Sequence, residues 1–438
     1  ISACQNVNQH IDYTMFLMLN CGMKKKQLLI FVLSVLILVI FNKVFMSVFT
    51  KTNAFYTRQA LINNEEIAPQ KLFDKTWKVI SREYYEPSLN NQNWYRWKDH
   101  YRNKIKTDED ARVAIDTMIA SLNEPYTRFM PKKDFEDLTT SITSKIYGIG
   151  VNIYSNAGKI EVFNVMPATP ADFAQLKQGD IITAVNGKDI SGMNVSDVAA
   201  IVRGPENSVV ELTILRNNKK LTKKIKRKEI KIKSVKSSIL DNHIGYIQIL
   251  SFMSGTTPNE FLEALENTKN TDSLILDLRG NTGGLLDNAV FIADMFINNG
   301  TIVDIIYRNG YKKSIKAQDE HLGMQKPVVV LVNGASASAS EILSGALKDT
   351  RKATLIGRKT FGKGLVQKVV PLPNQTGVNV TIARYLTPNG TDINKLGIKP
   401  DIEVGNEFDF FVGNQKDEQL EKAKEVLNND KRIGNSKK

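Results

Sequence analysis

The segment from Val328 to Gln367 constrains the fold more than any other part of the chain. It begins with the apolar run VVVLV, passes into small residues between Gly334 and Ser340, and continues with apolar residues at helical spacing. This pattern predicts a buried strand, a tight turn and then a helix. A serine at the start of that helix would lie beside backbone N–H groups without helical partners, and such groups can stabilise an oxyanion.

Three serines in this turn could act as a nucleophile: Ser336, Ser338 and Ser340. Any of them could instead serve only as the N-cap, because serine is a preferred N-cap residue. The residues that follow favour a nucleophile over a simple N-cap, because Lys363 lies between two glycines in an apolar stretch. A lysine in an apolar site has a lowered pKa, and its neutral amine can act as a base. The residues therefore predict a serine–lysine pair but leave the serine undecided.

Cysteine, histidine and charge limit the other kinds of site. Cys4 and Cys21 precede the first long apolar run, so the rest of the chain can form no disulfide or thiolate metal site. The four histidines lack metal-binding spacing, and we expect neither metal nor cofactor. His243 or His321 could still complete a serine–histidine–aspartate triad. The net charge of +13 comes from lysines spread along the chain, which favours a basic surface near an anionic membrane over nucleic-acid binding.

The first 50 residues predict a membrane anchor. Residues 1–22 begin with isoleucine and show no clear pattern, so we interpret them as an extension upstream of Met23. From Met23, the basic MKKK is followed by an apolar run that continues, with one interruption, to Phe49. No A-x-A-like cleavage site follows, and the run approaches the ~20 residues that cross a bilayer. Residues 23–50 therefore predict an uncleaved signal anchor, with a cleaved secretory signal as the alternative, and the remaining chain outside the cytoplasm.

Changes of pattern divide the remaining chain into parts. After a polar linker at 51–65, residues 66–140 carry apolar residues at helical spacing. Residues 141–233 predict short strands and one helix, and residues 234–405 alternate strands with helices, as in an α/β layer structure. Residues 406–438 predict a charged helix and a basic tail. The fold class is therefore multidomain, with α+β and α/β parts.

Two glycine-containing loops are candidate binding sites. One, Tyr147–Val151, opens the strand-rich part, and its glycines would let backbone N–H groups turn toward an anion. The other, Gly280–Gly284, follows a buried strand and precedes a predicted helix at Leu285–Phe296. It is neither a dinucleotide fingerprint nor a P-loop. By itself it could be an ordinary turn, but beside a serine nucleophile it could supply a second oxyanion donor.

These motifs resemble the carboxyl-terminal processing peptidases, also called tail-specific proteases. Residues 141–233 resemble a PDZ domain of the permuted bacterial type. The resemblance implies a ClpP/crotonase-like α/β protease core with an inserted PDZ domain and a helical N-terminal region. It covers roughly Leu72 to Val404, and beside the PDZ block its motifs are YYEP at 84–87, NEPYT at 123–127, DLRGNTGG at 277–284, SASASE at 336–341, TFGKG at 360–364 and GIKPD at 397–401.

The resemblance also implies roles for particular residues. The middle serine of SASASE, Ser338, would be the nucleophile, Lys363 the base, and Gln367 the residue that orients the lysine. The oxyanion hole would consist of the backbone N–H of Ala339 and of the Gly283–Gly284 loop. Neutral Lys363 would take the serine proton, Ser338 would attack the scissile carbonyl, and water would hydrolyse the acyl-enzyme.

The PDZ block implies recognition of an apolar substrate carboxyl terminus. Arg203 stands where some members of the family use an arginine to couple peptide binding to the active state. We therefore expect a membrane-anchored serine endopeptidase on the extracytoplasmic side of a bacterial envelope, cleaving proteins near apolar C-termini, and by analogy a homodimer. The alternative is a catalytically inactive PDZ scaffold that binds protein C-termini. The residues expected to hold the carboxylate are Tyr147, Gly148, Ile149, Gly150 and Val151.

Overall fold

Three sets of helices and strands follow one another along the chain. The structure is a computed structural model and describes residues 65–143, 146–156, 158–230, 233–241, 243–318, 326–406 and 417–435. The described residues from Ile67 onward belong to one compact unit. The predicted combination of a helical N-terminal region, a strand-rich part and an α/β core is confirmed.

The first set is helical, as its apolar spacing predicts. Pro69 occupies the first turn of the first helix, where a missing N–H leaves no helical hydrogen bond unmade. A capping box of Thr107 and Asp110 begins the third helix. The apolar faces of these helices share a core with strands of the protease part. The elements are α1 (Pro69–Glu83), α2 (Tyr95–His100), α3 (Asp108–Ala120), β1 (Arg128–Met130) and α4 (Lys132–Thr143).

The second set forms a sheet with a core of its own. Its elements are β2 (Ile146–Gly148), β3 (Val151–Asn156), β4 (Lys159–Val165), α5 (Pro170–Phe173), β5 (Ile181–Val185), β6 (Lys188–Asp189), α6 (Val195–Val202), β7 (Val209–Arg216), β8 (Lys219–Lys226) and β9 (Lys228–Ile230). The strand order is β3-β4-β5-β7-β8, with β6 beside β5, and β2 pairs separately with β9. Because β3 is an edge strand and packs against α6, a peptide could extend the sheet there.

The third set is built on a six-stranded sheet. Its order is β10 (Val235–Leu240), β11 (Ile244–Ile249), β12 (Ser273–Asp277), β15 (Val328–Val332), β16 (Thr354–Gly357) and β19 (Ile402–Glu403). β10 is antiparallel to β11, and the other pairs are parallel. On one face lie α7 (Thr257–Asn267), α8 (Leu286–Asp294) and α9 (Ala339–Asp349), and on the other lies α10 (Glu418–Asn435). Burial on both faces explains why VVVLV is apolar throughout.

A second, antiparallel sheet joins the protease core to the N-terminal helices. Its path is β1-β18-β13-β14, and β17 pairs with β18. β17 begins two residues after Lys363, whereas the loop after β15 of the parallel sheet carries Ser338. The two sheets therefore present the predicted nucleophile and the predicted base. The bounds are β13 (Thr301–Tyr307), β14 (Lys312–Lys316), β17 (Leu365–Leu372) and β18 (Thr376–Leu386).

The predicted location requires a correction. Among the residues that the structure describes, no helix is long and apolar enough to cross a membrane. The longest of them, α10, has 18 residues and carries charges along its length. The predicted signal anchor at residues 23–50 lies outside the described residues, as does the upstream extension. The prediction of a membrane-anchored protease on the extracytoplasmic side is therefore wrong for the described residues, which contain no helix that could cross a membrane.

Candidate active site

One cavity of about 880 Å³ brings the predicted protease residues together. It is lined by Ser338, Lys363 and Gln367 and by the predicted oxyanion donors Gly283, Gly284 and Ala339. These residues come from the loop after β12, from the loop after β15 with the start of α9, and from β17 with the two residues before it. The predicted peptide-binding residues of the PDZ part do not line it.

The backbone at Ser338 is in a strained turn. Its φ of +55° and ψ of −114° lie outside the regions that residues with a side chain normally adopt. Such strain persists only where surrounding contacts enforce it, and a sharp strand–turn–helix is a known way to expose a nucleophile. The N–H of Glu341 donates to the carbonyl oxygen of Ser338 at 2.8 Å, and the two residues form a capping box at the start of α9. Ser338 is therefore the N-cap of α9 and, in this strained conformation, also a residue of the cavity wall.

The structure distinguishes the three candidate serines by their partners. The hydroxyl of Ser336 donates to the carbonyl of Leu278 at 2.8 Å, and that of Ser340 donates to the carbonyl of Asn281 at 2.8 Å. Both side chains are fully buried. Ser338 alone of the three lines the cavity. Of the three hydroxyl-bearing residues, only Ser338 is therefore placed where a substrate in the cavity could reach it.

Glu341 links the serine turn to the lysine loop. Its carboxylate is completely buried and accepts hydrogen bonds from the N–H of Ser338 (2.9 Å), Gly362 (2.7 Å) and Lys363 (2.9 Å). It also accepts one from the hydroxyl of Thr360 at 2.6 Å. Burial raises the pKa of Glu341, and these hydrogen bonds oppose the increase. The S-x-x-E spacing was the only sequence signal for this residue.

Lys363 lies in an environment that disfavours its charge. Burial is the largest influence and lowers the pKa of the Lys363 amine. The carboxylates of Glu124 and Glu341 act in the opposite direction, whereas the guanidinium of Arg128 adds to the decrease. A lowered lysine pKa increases the fraction of neutral amine near neutral pH, which is the form that can accept a proton.

The amine of Lys363 rests against an aromatic ring. Its Nζ lies 4.8 Å from the ring centroid of Tyr126. Within the described residues, no hydrogen bond joins Nζ to Ser338. Gln367 Nε2 donates to Thr381 Oγ1 at 3.4 Å, so the predicted orienting bond from Gln367 to Lys363 is not formed in this structure. Sequence reasoning missed the contact with Tyr126, because the two residues are far apart in the chain.

Two backbone donors at the cavity are unengaged. In the described chain, the N–H groups of Gly284 and Ala339 have no hydrogen-bond acceptor, and both residues line the cavity beside Ser338. The third predicted donor is occupied, because Gly283 N donates to Asn281 Oδ1 at 2.9 Å. Gly283 has a steric role instead, since a Cβ there would lie 2.8 Å from Cβ of Ser338. Two N–H groups without an acceptor beside a serine are what an oxyanion hole requires.

The described residues give the histidine alternative no support. His243 lies away from the cavity, where its ring nitrogens contact the carbonyl of Asp241 (2.5 Å) and Oδ1 of Asn428 (3.0 Å). His321 lies outside the described residues. No histidine is among the residues that line the cavity.

The PDZ part places its predicted residues at an edge. The stretch Tyr147–Val151 runs from the end of β2 into the start of β3, and Arg203 follows α6 with an exposed side chain. The sequence did not single out Arg227, which stands in a lysine-rich run. Its buried guanidinium donates to the carbonyls of Ile201 (3.0 Å) and Val202 (2.8 Å) at the end of α6. Arg227 therefore caps the helix that lies beside the free edge of β3.

Comparisons with known proteins agree with this geometry. The model of peptidase family S41 matches residues 243–404, and a PDZ domain model matches residues 161–216. The carboxyl-terminal-processing protease of Synechocystis sp. is 35% identical over 384 residues, covering 85% of this chain and 89% of that protein. The carboxy-terminal processing protease CtpA of Bacillus subtilis is 39% identical over 312 residues, covering 70% and 66%.

A solved structure is similar as well. The photosystem II D1 C-terminal processing protease matches with a TM-score of 0.52 at 31% identity, covering 77% of this chain and 94% of that one. The family resemblance of the sequence motifs and the predicted protease core with a PDZ domain are confirmed. The chain belongs to the carboxyl-terminal-processing proteases of peptidase family S41 and is a serine peptidase.

Proposed function

We propose that this serine peptidase cleaves protein substrates at or near their carboxyl-terminal ends, with Ser338 as nucleophile and Lys363 as general base. The contrast among the three serines carries the proposal. Ser336 and Ser340 are buried and hydrogen-bonded, whereas Ser338 sits in a strained turn and faces a cavity that also holds Lys363. The names of the relatives support cleavage near the carboxyl terminus.

The proposed reaction uses groups that line the cavity. Neutral Lys363 takes the proton of Ser338 while Oγ attacks the scissile carbonyl, and the oxyanion is held by the N–H groups of Gly284 and Ala339. The resulting ammonium gives its proton to the leaving amine. Lys363 then deprotonates a water molecule that hydrolyses the acyl-enzyme. Gln367 orients the neutral amine. To do so it gives up its hydrogen bond to Thr381, which is long (3.4 Å) and therefore weak.

The cavity walls and the PDZ edge support apolar carboxyl termini as substrates. We propose that the substrate tail extends β3 as an added strand, with its carboxylate held by the N–H groups of the Tyr147–Val151 loop and Arg203 nearby. The scissile segment would then lie in the apolar part of the cavity. The side chains that make these walls are Met130, Leu138, Ile142, Met253, Leu286 and Ile342.

Mixing the purified full-length protein with an unfolded reporter protein that ends in apolar residues tests the proposal. Mass spectrometry should show cleavage near the reporter's carboxyl terminus, and Ser338→Ala or Lys363→Ala should lower the rate about a thousandfold or more. Lys359→Ala, at an exposed lysine of the same loop, is the matched control and should retain activity. Undiminished cleavage by Ser338→Ala would overturn the assignment.

The same experiment separates the alternatives. An inactive scaffold would bind the reporter without cleaving it, and a histidine-dependent enzyme would lose activity on His243→Ala while keeping it on Lys363→Ala. The homodimer stays a prediction from family resemblance, and sedimentation of the purified protein tests it.

A further inference from the structure

The loop between α3 and β1 reaches the cavity and contacts the lysine. This loop contains the sequence NEPYT at residues 123–127. Lys363 Nζ lies 4.8 Å from the ring centroid of Tyr126, within the distance of about 6 Å at which an ammonium is attracted to a ring face. In the described part of the chain, no hydrogen bond or salt bridge reaches this Nζ. The ring of Tyr126 is therefore the direct partner of the ammonium in this structure.

The position of the ring is fixed by a carboxylate. Glu124 accepts hydrogen bonds from the N–H of Tyr126 (2.6 Å) and from the N–H (3.0 Å) and hydroxyl (2.7 Å) of Thr127. It also accepts one from the hydroxyl of Thr381 on β18 at 2.9 Å. Asn379 of the same strand donates to the carbonyl of Tyr126 at 3.2 Å. The loop is thus bound to the sheet whose neighbouring strand, β17, follows Lys363.

We infer that Tyr126 is a positioning residue for Lys363: its ring holds the lysine ammonium in the resting site and stabilises the ammonium that forms during the reaction. The inference rests on the proposed function, in which the proton of the Ser338 hydroxyl moves to the amine of Lys363 as the serine oxygen bonds to the substrate carbonyl. The ring face attracts the ammonium and not the neutral amine. Loss of the proton therefore releases Nζ toward Ser338, and gain of the proton returns it to the ring.

The other groups around the lysine set the direction of the pH effect. Burial lowers the pKa of Lys363 most, Glu124 and Glu341 raise it, and Arg128 lowers it further. The ring face favours the charged form and so opposes burial. An aliphatic side chain in place of the ring keeps Lys363 buried but removes the attraction between the ring face and the ammonium. The pKa of Lys363 should then fall further below its usual range.

The variants Tyr126→Phe and Tyr126→Leu in the full-length protein separate the ring from its hydroxyl. Two measurements are made on each variant. One is kcat/KM against pH for a peptide with an apolar tail. The other is the acetylation of Lys363 by acetic anhydride against pH, followed by mass spectrometry, which needs no activity. We expect Tyr126→Phe to match the unmodified protein in both. Tyr126→Leu should move the acidic limb of both profiles down by about 0.4 to 1.5 pH units. It should also lower the plateau kcat by about two- to thirtyfold with little change in KM.

A merely structural role of Tyr126 would reduce the rate without moving either limb. If Tyr126→Leu does not fold, incorporation of trifluorophenylalanine at position 126 weakens the ring face with little change of shape, and should shift the limbs in the same direction. Identical acetylation profiles for ring and non-ring variants would overturn the inference, whatever the activity. Full activity of Lys363→Ala would overturn the proposed function, and with it the catalytic part of this inference.

Discussion

Glu341 joins the two halves of the site through one carboxylate. Its Oε2 accepts the N–H groups of Ser338 and Lys363, and its Oε1 accepts the hydroxyl of Thr360 and the N–H of Gly362. The strained serine turn and the lysine loop are therefore attached to the same buried group. Because both loops depend on it, a change at Glu341 should displace the nucleophile and the base together.

Glu341→Gln tests this link with a substitution of almost the same shape. The amide replaces one accepting oxygen with an NH₂ donor, which would face N–H or O–H donors. We expect kcat to fall about 10- to 100-fold with a smaller change in KM, and the free energy of unfolding to fall by about 1–3 kcal/mol. Steady-state kinetics and urea unfolding measure the two effects. The exposed Glu418 offers the matched control Glu418→Gln, and an unchanged kcat in Glu341→Gln would contradict the proposed link.

At the residue scale, the sequence could predict a serine–lysine pair, but it could not predict which serine belongs to it. The spacing S-A-S-A-S makes its serines locally equivalent, and the family resemblance rather than spacing selected Ser338. In the structure, Ser336 and Ser340 are held by carbonyls of the 278–281 loop, which lies more than 50 residues earlier in the chain. The partners of Glu341 and Lys363 are likewise distant. Such contacts arise from tertiary packing and leave no periodic signal.

At the scale of elements, the loop between β12 and α8 determines where an oxyanion could bind. Gly284 has a φ of +148°, and a Cβ at this position would lie 2.2 Å from the carbonyl carbon of Phe252 and 2.3 Å from the nitrogen of Met253. The loop thus passes very close to the β11–α7 connection at the point where Gly284 lines the cavity. A side chain would force the loop away and displace the donor.

Gly284→Ala should therefore lower kcat about 100- to 1000-fold, the usual cost of one lost oxyanion donor. The matched control is Gly300→Ala, because Gly300 also has a positive φ of +103° but has nothing within 4 Å of an added Cβ. That variant should show the backbone strain alone, with activity near that of the unmodified protein. Equal losses of kcat in the two variants would show that strain, and not displacement of the donor, causes the effect.

Elements with strong local patterns were predictable. The helix predicted at Leu285–Phe296 is observed at Leu286–Asp294, and the run VVVLV forms the buried strand Val328–Val332. The pairing of β17 with β18, which carries the lysine to the cavity, could not be predicted. Apolar alternation indicates a strand but does not identify its partner. The contact of the N-terminal NEPYT loop with this sheet was missed for the same reason.

At the scale of the whole molecule, α10 is attached to the base of the glycine loop. Arg279 directly precedes that loop and is almost fully buried between Asp277 and Asp417, with Nη1 2.8 Å and Nη2 2.9 Å from the two carboxylate oxygens of Asp417. Asp417 directly precedes the C-terminal helix α10, whose apolar residues cover the second face of the central sheet. The C-terminal helix therefore supports the position of the loop that carries Gly284.

Asp417→Asn tests this attachment through its pH dependence. Burial alone would raise the pKa of Asp417, but the hydrogen bonds and charge of Arg279 prevail and lower it. A carboxyl whose pKa is lowered on folding stabilises the folded state above its unfolded pKa of about 3.9, and this stabilisation is lost as the pH falls through the folded value. Asn keeps the shape but cannot ionise.

We therefore expect Asp417→Asn to lower the free energy of unfolding at pH 7 by about 1–2 kcal/mol, a limited loss because Arg279 keeps its hydrogen bonds to Asp277 and Gln419. The difference from the unmodified protein should shrink as the pH falls below about 3.9 and disappear once Asp417 is protonated in both states. Urea unfolding at pH 7, 5 and 3 measures it, with Asp287→Asn, on a different helix, as the comparison. A difference that is the same at every pH would show that the ion pair does not contribute, and that α10 is held to the core by its apolar face alone.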